Sequence, residues 1–264
     1  MKIAILYICT GIYDNFWPEF YESSENNLFK NEASIEYFVF TDSINIKENN
    51  KVHKIFKKFE GFPLDSLLRF EMFLKIKDQL KKFDFILFFN SNAQILKPIA
   101  LKEILPDNNY NLVGAQWPIL NKLFKLPVFF PYEHRKASTA YISPWSKGSF
   151  KYYMGGLNGG FSEAYLNMCE ELSANIKKDL EKGIIALVHD ESHLNKYFRN
   201  HKCKSLTPEY CMPQEWISAN LQPKIIFREK TCIDPYFNKN RDNSIKGKVK
   251  KALSKIWHAF NWYI

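Results

Sequence analysis

No stretch of the chain approaches the roughly 18 consecutive apolar residues that a transmembrane helix requires, so the sequence offers no membrane-spanning helix. The opening MKIAILYICTGIYDNFW has one lysine, a short apolar run and no small-residue cleavage site. It reads as a first β-strand, not as a secretory leader. Cysteine is sparse: Cys9, Cys169, Cys203, Cys211 and Cys232 show neither CxxC nor any other metal-ligand spacing. That argues against a cysteine-held metal and a disulfide framework, and the odd count points to reduced thiols in a cytoplasmic protein. Internal repeats, low-complexity segments, zinc-finger spacing, a helix-turn-helix pattern and an RNP-like strand are all lacking. Nucleic-acid binding is left with only the net charge of +9 in its favour, and no nucleic-acid partner is expected.

What is present suits a globular α/β protein. The 264 residues are 46% hydrophobic and 16% aromatic, with 23 Phe and 14 Tyr, enough for a sizeable core in one domain or two small ones. Lys2 to Ile8, Ile35 to Phe40 and Phe83 to Phe89 read as strands, and Trp17 to Phe29 and Leu64 to Lys82 as helices. This alternation predicts a mostly parallel central sheet flanked by helices, with a ligand crevice at the carboxyl ends of the strands. Asn90-Ser91-Asn92 stands at such an end. Leu112 to Gln116 reads as a further strand, Leu120 to Ser149 as a long loop and Ala164 to Lys182 as a helix.

The apolar run Ile184 to Val188 then reads as a strand that ends in His189-Asp190-Glu191-Ser192-His193. Ionisable groups at a sheet edge can line a pocket, whereas burying them unpartnered would cost several kcal/mol each. Asp190 can cap the helix that Leu194, Tyr197 and Phe198 predict. At this level a site for a polar ligand and an ordinary capped helix with solvated charges are equally good readings.

Positive charge concentrates in Lys47 to Lys58 and in the C-terminal segment. Lys246 to Phe260 has Val249, Leu253, Ile256 or Trp257, and Phe260 at helical spacing among lysines, an amphipathic helix. Such a helix can dock on the protein's own core or lie on an anionic membrane surface. The crowding of Trp257, Phe260, Trp262, Tyr263 and Ile264 after the polar stretch Asn238 to Ser244 favours the membrane. The expected organisation is a catalytic domain over 1–244 and a basic amphipathic tail over 245–264.

Five ordered landmarks carry a resemblance from about Tyr13 to Arg241: Tyr37-Phe38-Val39-Phe40-Thr41-Asp42, Arg69-Phe70-Glu71-Met72, Tyr132-Glu133-His134-Arg135, Tyr152-Tyr153-Met154-Gly155-Gly156 and HDESHLN, the last followed by Ser205-Leu206-Thr207-Pro208-Glu209-Tyr210. Together they resemble glycosyltransferase family 6, which contains the histo-blood-group A and B transferases and the α1,3-galactosyltransferase. The resemblance implies a GT-A fold and a retaining transferase that takes galactose or N-acetylgalactosamine from a UDP-sugar. Mammalian members carry an N-terminal Golgi anchor. The start of this chain reads instead as a strand, so a bacterial-type enzyme in the cytoplasm, peripheral at the inner membrane face, is expected.

The resemblance also implies roles. Ile8, Thr10 and Tyr13 would hold the nucleoside, Tyr13 by stacking on uracil, and Arg69 would lie near the donor. Asn90 and Asn92 replace the two aspartates that hold a divalent cation in metal-dependent members. A neutral amide is a poor ligand for a hard cation, so no metal and no other cofactor is expected. Lys230 and Arg241, with Arg228 and Lys239 as substitutes, would neutralise the diphosphate. Met154, Gly155 and Gly156 match the segment that separates the two donor sugars. The small Gly156 leaves room for an acetamido group and predicts UDP-GalNAc, with discrimination of only about 1–3 kcal/mol against UDP-Gal. Met154 and Leu157-Asn158 depart from the family pattern.

Asp190 would bind sugar hydroxyls, assisted by His189. Glu191 would attack C1, or stabilise an oxocarbenium-like transition state while the acceptor enters on the leaving-group side. Either route needs Glu191 ionised, a state that nearby cations favour. The acceptor, an oligosaccharide with a terminal β-galactose that can bear α1,2-fucose, would lie among Gln116, Trp117, His134, Ser138, Thr139 and Val188. Val188 stands where the blood-group enzymes carry tryptophan. A catalytically degenerate glycan-binding homologue is the competing reading, since both aspartates are gone.

Overall fold

The computed structural model describes residues 1–106, 109–118, 130–148, 150–218, 221–231, 233 and 244–263. The first strand, β1 (Lys2–Ile8), is followed by helix α1 (Trp17–Asn27), strand β2 (Ser34–Thr41) and strand β3 (Val52–Phe56). These three strands are parallel, and the apolar run of β1 is central, buried on both faces as a continuous hydrophobic strand should be.

Three short helices come next, α2 (Leu64–Leu67), α3 (Arg69–Leu74) and α4 (Lys77–Leu80). They correct the single helix expected over Leu64 to Lys82. Leu68 (φ −94°, ψ 10°) and Ile76 (φ −115°, ψ 24°) leave the helical region. The apolar side chains still turn inward, since Leu67, Phe70, Phe73 and Leu80 are all buried against the sheet. Burial of a large side chain contributes about 1.5–3 kcal/mol, which outweighs the few hydrogen bonds lost at each kink.

Strand β4 (Phe85–Asn90) pairs in parallel with β1. After β5 (Ala93–Ile95), α5 (Leu101–Ile104) and β6 (Leu112–Gln116) comes β7 (Tyr153–Phe161), which runs antiparallel between β4 and β6. Its sequence, YMGGLNGGF, holds four glycines, yet it is an interior strand, paired with β4 over Leu157 to Phe161 and with β6 at Tyr153 and Asn158 to Gly160. The glycines permit close approach: a Cβ at Gly159 would lie 2.4 Å from the Ile86 carbonyl oxygen, and one at Gly160 2.7 Å from that of Asn111.

Helices α6 (Ser162–Glu181) and α7 (His189–Asn200) follow, then β8 (Lys204–Leu206), β9 (Met212–Pro213), β10 (Ile225–Phe227) and α8 (Ile245–Tyr263). The main sheet has the order β3-β2-β1-β4-β7-β6-β8, and β5-β10-β9 form a smaller one. Alternate residues of the central strands feed two cores. Ile5, Tyr7, Tyr37, Leu87 and Phe89 pack against Trp17 and Phe20 of α1, and Leu6, Phe38, Phe40, Ile86 and Phe88 against α3 and α6.

Ile184 to Val188 does not form the expected strand. Its polar backbone groups are taken by side chains and turns: Glu133 accepts from the Leu187 amide, Arg135 donates to the Ile185 carbonyl, and the Ile184 amide reaches the Asp179 carbonyl at 2.8 Å. Nor does Asp190 cap α7. Ser192 Oγ accepts the Val188 amide at 2.9 Å, and Asp190 lies in the first turn with another partner. The four described cysteines are buried free thiols, and among the described residues no helix is long and apolar enough to cross a membrane.

Candidate active site

The topology brings four chain segments to one place. β1 and β4 run in parallel, so Ile8 and Asn90 end side by side. β7 runs the other way, so its first residues, Tyr153 to Gly156, lie beside the end of β4. α7 is fastened to this start of β7 by Asn195. Its Oδ1 accepts the Tyr153 amide at 2.8 Å, and its Nδ2 donates to the Tyr153 carbonyl at 2.8 Å. His189, in the left-handed region at φ 49°, turns the chain into α7 so that Asp190 and Glu191 occupy the first helical turn. The positive end of the helix dipole favours carboxylates there.

The two acids have different partners. Asp190 is ion-paired with Arg69, whose guanidinium lies over Phe88 at 4.7 Å and Phe70 at 5.2 Å. Glu191 accepts hydrogen bonds from the Tyr152 hydroxyl and the Gly155 amide. Tyr152 is held in a small aromatic core with Phe130 and Tyr132. The charges converge on Gly155, where a Cβ would lie 2.7 Å from Arg69 Nη2, 3.0 Å from Glu191 Oε2 and 3.4 Å from Asp190 Oδ2. Glycine is the one residue without that atom.

Burial dominates the protonation of this group. It raises the Glu191 carboxyl to about 7, against the lowering pull of Tyr152 and the Gly155 amide, with Asp190 adding to the rise. Burial also raises Asp190, opposed by Arg69. Arg69 favours ionised Glu191 as expected, but it is committed to Asp190 and its influence on Glu191 is the weakest of these, so burial outweighs it.

Two cavities meet here. One, of about 300 Å³, is lined by Ile8, Thr10, Tyr13, Arg69, Gly155 and Val188 to Asp190, together with Phe59, Phe62 and Asp65. The other, of about 410 Å³, is lined by Asn92, Trp117, Pro131, Tyr152, Met154, Gly156 and Phe227. Asn90, Glu191 and Lys230 border both. Val188 thus sits on the Arg69 side and not beside Trp117. Gln116, His134 and Thr139 border neither cavity among the described residues. The Gln116 carbonyl accepts from Cys211, the His134 ring bonds the Phe130 carbonyl, and Thr139 is tied to Asp179 and Asn175. Arg241 lies outside the described residues.

Lys230 Nζ stands 5.4 Å from the Tyr13 ring centroid. Arg228 is paired with Glu19 and stacked over Phe16, so of Arg228 and Lys230 it is Lys230 that borders the cleft. Beside Gly156 a Cβ would meet Met154 Cε at 2.7 Å, Phe227 Cε1 at 2.8 Å and Asn90 Nδ2 at 3.1 Å. The space left by this glycine is therefore occupied by two flexible neighbours and an amide.

The Asn90-Ser91-Asn92 turn suits a hard cation poorly. Asn92 Nδ2 donates to the Arg228 carbonyl at 2.6 Å, which leaves one neutral oxygen, buried without a hydrogen-bond partner. Asp190 and Glu191 are already engaged, and among the described residues no three His, Cys, Asp or Glu side chains cluster to hold a metal ion.

Sequence reasoning missed Tyr152, Phe59, Phe62, Asp65 and Phe227 as lining residues. Tyr152 had a signal, since it adjoins the YMGG segment. Asp65 had one too, as an acid at a predicted helix start; it accepts from Thr10 Oγ1 at 2.9 Å and from the Gly61 amide at 3.1 Å. Phe227 had none.

The profile of glycosyltransferase family 6 matches residues 1–231. The chain belongs to glycosyltransferase family 6. This family 6 glycosyltransferase is 36% identical over 232 residues to the "O-antigen biosynthesis glycosyltransferase WbnI" of Escherichia coli, covering 87% of this chain and 95% of that one. It is 29% identical to the "Globoside alpha-1,3-N-acetylgalactosaminyltransferase 1" of Gallus gallus, over 86% of this chain and 65% of the other. Over 87 residues, 33% of this chain and 25% of the other, it is 45% identical to the "Histo-blood group ABO system transferase 2" of Rattus norvegicus. The chain thus spans nearly all of the bacterial relative, under two thirds of the chicken protein and a quarter of the rat one. Family 6 enzymes are retaining hexosyltransferases that use a nucleotide-sugar donor and a glycan acceptor, and the mostly parallel seven-strand sheet flanked by helices agrees with their GT-A fold.

Proposed function

We propose that this family 6 enzyme transfers N-acetylgalactosamine from UDP-GalNAc, with retention, to the 3-position of a terminal β-galactose that can carry α1,2-fucose, and that it needs no divalent metal. One observation carries the reading: Glu191 borders both cavities, so a single buried carboxylate can serve the donor sugar on one side and the acceptor on the other. Ile8, Thr10 and Tyr13 suit a nucleoside, with Arg69 and Asp190 toward the sugar. Lys230 supplies the positive charge that a cation would otherwise bring to the diphosphate, and Arg241 joins it in this reading. Trp117 offers an aromatic face to the acceptor sugar. Glu191 acts at C1 from the face opposite the leaving UDP.

GalNAc is favoured by Gly156 and by the name of the chicken relative, which aligns over 86% of this chain. Galactose transfer from UDP-Gal is a second reading, favoured by one observation: Met154 and Phe227 already fill the space beside Gly156. The name of the E. coli relative supports a place in O-antigen assembly; the cytoplasm as its compartment, a catalytic domain over 1–244 and a tail over 245–264 are proposed from the sequence pattern.

The test is UDP release from UDP-GalNAc and from UDP-Gal, with and without 2′-fucosyllactose, in excess EDTA. Acceptor-dependent release with UDP-GalNAc is expected. Faster release with UDP-Gal would move the donor assignment to galactose. Release only after Mn²⁺ is added would overturn the metal-independent account, and no release under any condition would favour a glycan-binding homologue.

A further inference from the structure

Helix α8 carries a continuous apolar stripe that no other part of the described chain covers. Ile245, Val249, Leu253, Ile256, Trp257 and Phe260 are between 51% and 82% exposed. At about 100° per residue these six positions fall within an arc of about 120° on the helix surface. A stripe of that width on an ordinary globular helix would face a core. Here it faces solvent, so the alternative that the tail docks on its own domain does not describe these side chains.

The charge says what covers the stripe. Ile245–Tyr263 contains five lysines and neither Asp nor Glu. Lys246 and Lys250 are exposed, Lys250 at one edge of the stripe and Lys246 just inside that edge at the start of the helix. An acidic partner of the same chain would appear as ion pairs, and none is made by Lys246 or Lys250 among the described residues. No described helix is apolar enough to cross a bilayer, so the segment lies on a surface and does not span it. Apolar stripe, lysine flank, an interfacial tryptophan and the absence of acidic residues are together complementary to a bilayer interface with anionic headgroups.

We infer that α8 is a membrane-surface anchor, with the six apolar side chains sunk at the headgroup boundary of an anionic leaflet and the lysines among the phosphates. This goes beyond transfer chemistry and does not depend on which sugar is moved. It would hold the cleft close to a glycan acceptor that is itself attached to lipid.

The experiment is co-sedimentation of the full chain with vesicles of phosphatidylcholine alone and of phosphatidylcholine mixed with phosphatidylglycerol. Each lysine at an anionic surface contributes about fivefold in partitioning. Binding to the mixed vesicles is therefore expected at least roughly a hundredfold above the neutral ones, and it should weaken with added salt. The Leu253→Glu/Trp257→Glu double variant should lose sedimentation, and Lys246→Glu/Lys250→Glu should lose most of it. Both should keep the UDP release of the parent chain, since neither touches the cleft. No sedimentation, or equal sedimentation with neutral vesicles, would overturn the inference. So would a dimer in vesicle-free buffer that Leu253→Glu/Trp257→Glu breaks while vesicles leave the parent chain in solution, because the stripe would then belong to a second copy. Salt-sensitive binding to RNA in place of vesicles would overturn it equally.

Discussion

At the scale of single residues, Glu191 is governed by the groups that hold it. Its carboxyl sits at about 7 because burial disfavours charge more than Tyr152 and the Gly155 amide favour it. In the proposed mechanism Glu191 acts in its ionised form, so activity should rise with pH through about 7. Glu191→Gln should lower transfer by roughly 10³-fold or more while leaving UDP binding, measured by calorimetry, nearly unchanged. Tyr152→Phe removes a hydrogen bond to the charged form and should move the acidic limb of the pH–rate profile up by about one to two units. A variant that lost activity at every pH without moving that limb would make Tyr152 a packing residue only. Gly155→Ala tests the same cluster by volume. Its methyl would enter a space only 2.7 Å from Arg69 Nη2, and it should destabilise the fold by about 1–3 kcal/mol in urea melts and abolish detectable transfer.

At the scale of elements, β7 decides the geometry, since it reverses the sheet and brings Met154 to Gly156 beside Asn90. Its glycines are there for contact with the neighbouring backbones. Gly159→Ala should cost about 3 kcal/mol by overpacking, because its methyl would meet the Ile86 carbonyl at 2.4 Å; a midpoint in urea unchanged from the parent would refute this. The same strand shows where sequence reading stops. β1, β2, β4 and β6 were legible because buried strands are written in β-branched and aromatic residues. A strand that packs through missing side chains carries no such signature, and YMGGLNGGF reads as a turn. Ile184 to Val188 misled in the opposite sense. It is apolar enough for a strand, but Glu133 and Arg135, roughly fifty residues earlier, take its backbone groups. The acid pair, the Asn-x-Asn turn, Arg69 and the residues expected at the nucleoside were legible because they sit in ordered sequence motifs, whether at a strand end or a helix start. Phe227 and the placing of Thr139 against Asp179 were not, because they depend on how distant segments meet.

At the scale of the whole molecule, two buried groups oppose one another in acid. Glu191 has its folded value raised from 4.5 to about 7. Between these values the folded state holds a proton that the unfolded state has released, so this group makes stability fall as pH rises. His193, buried beside Asp179, is lowered from 6.5 to about 4. There the unfolded state holds the extra proton, so this group makes stability rise with pH. Each slope is about 1.4 kcal/mol per pH unit, and from 4.5 to 6.5 they cancel. The pair's contribution to the parent enzyme's stability should therefore be nearly flat across that window. Glu191→Gln removes one slope and leaves the other. Relative to the parent, the variant should lose about 1.4 kcal/mol per unit as the pH falls from 6.5 to 4.5, and it should be the more stable protein above about 7. Urea melts of both proteins at each end of the window measure the difference. Parallel stability curves would mean that Glu191 is ionised at its ordinary pH, and the burial that defines this site would then be relieved by solvent.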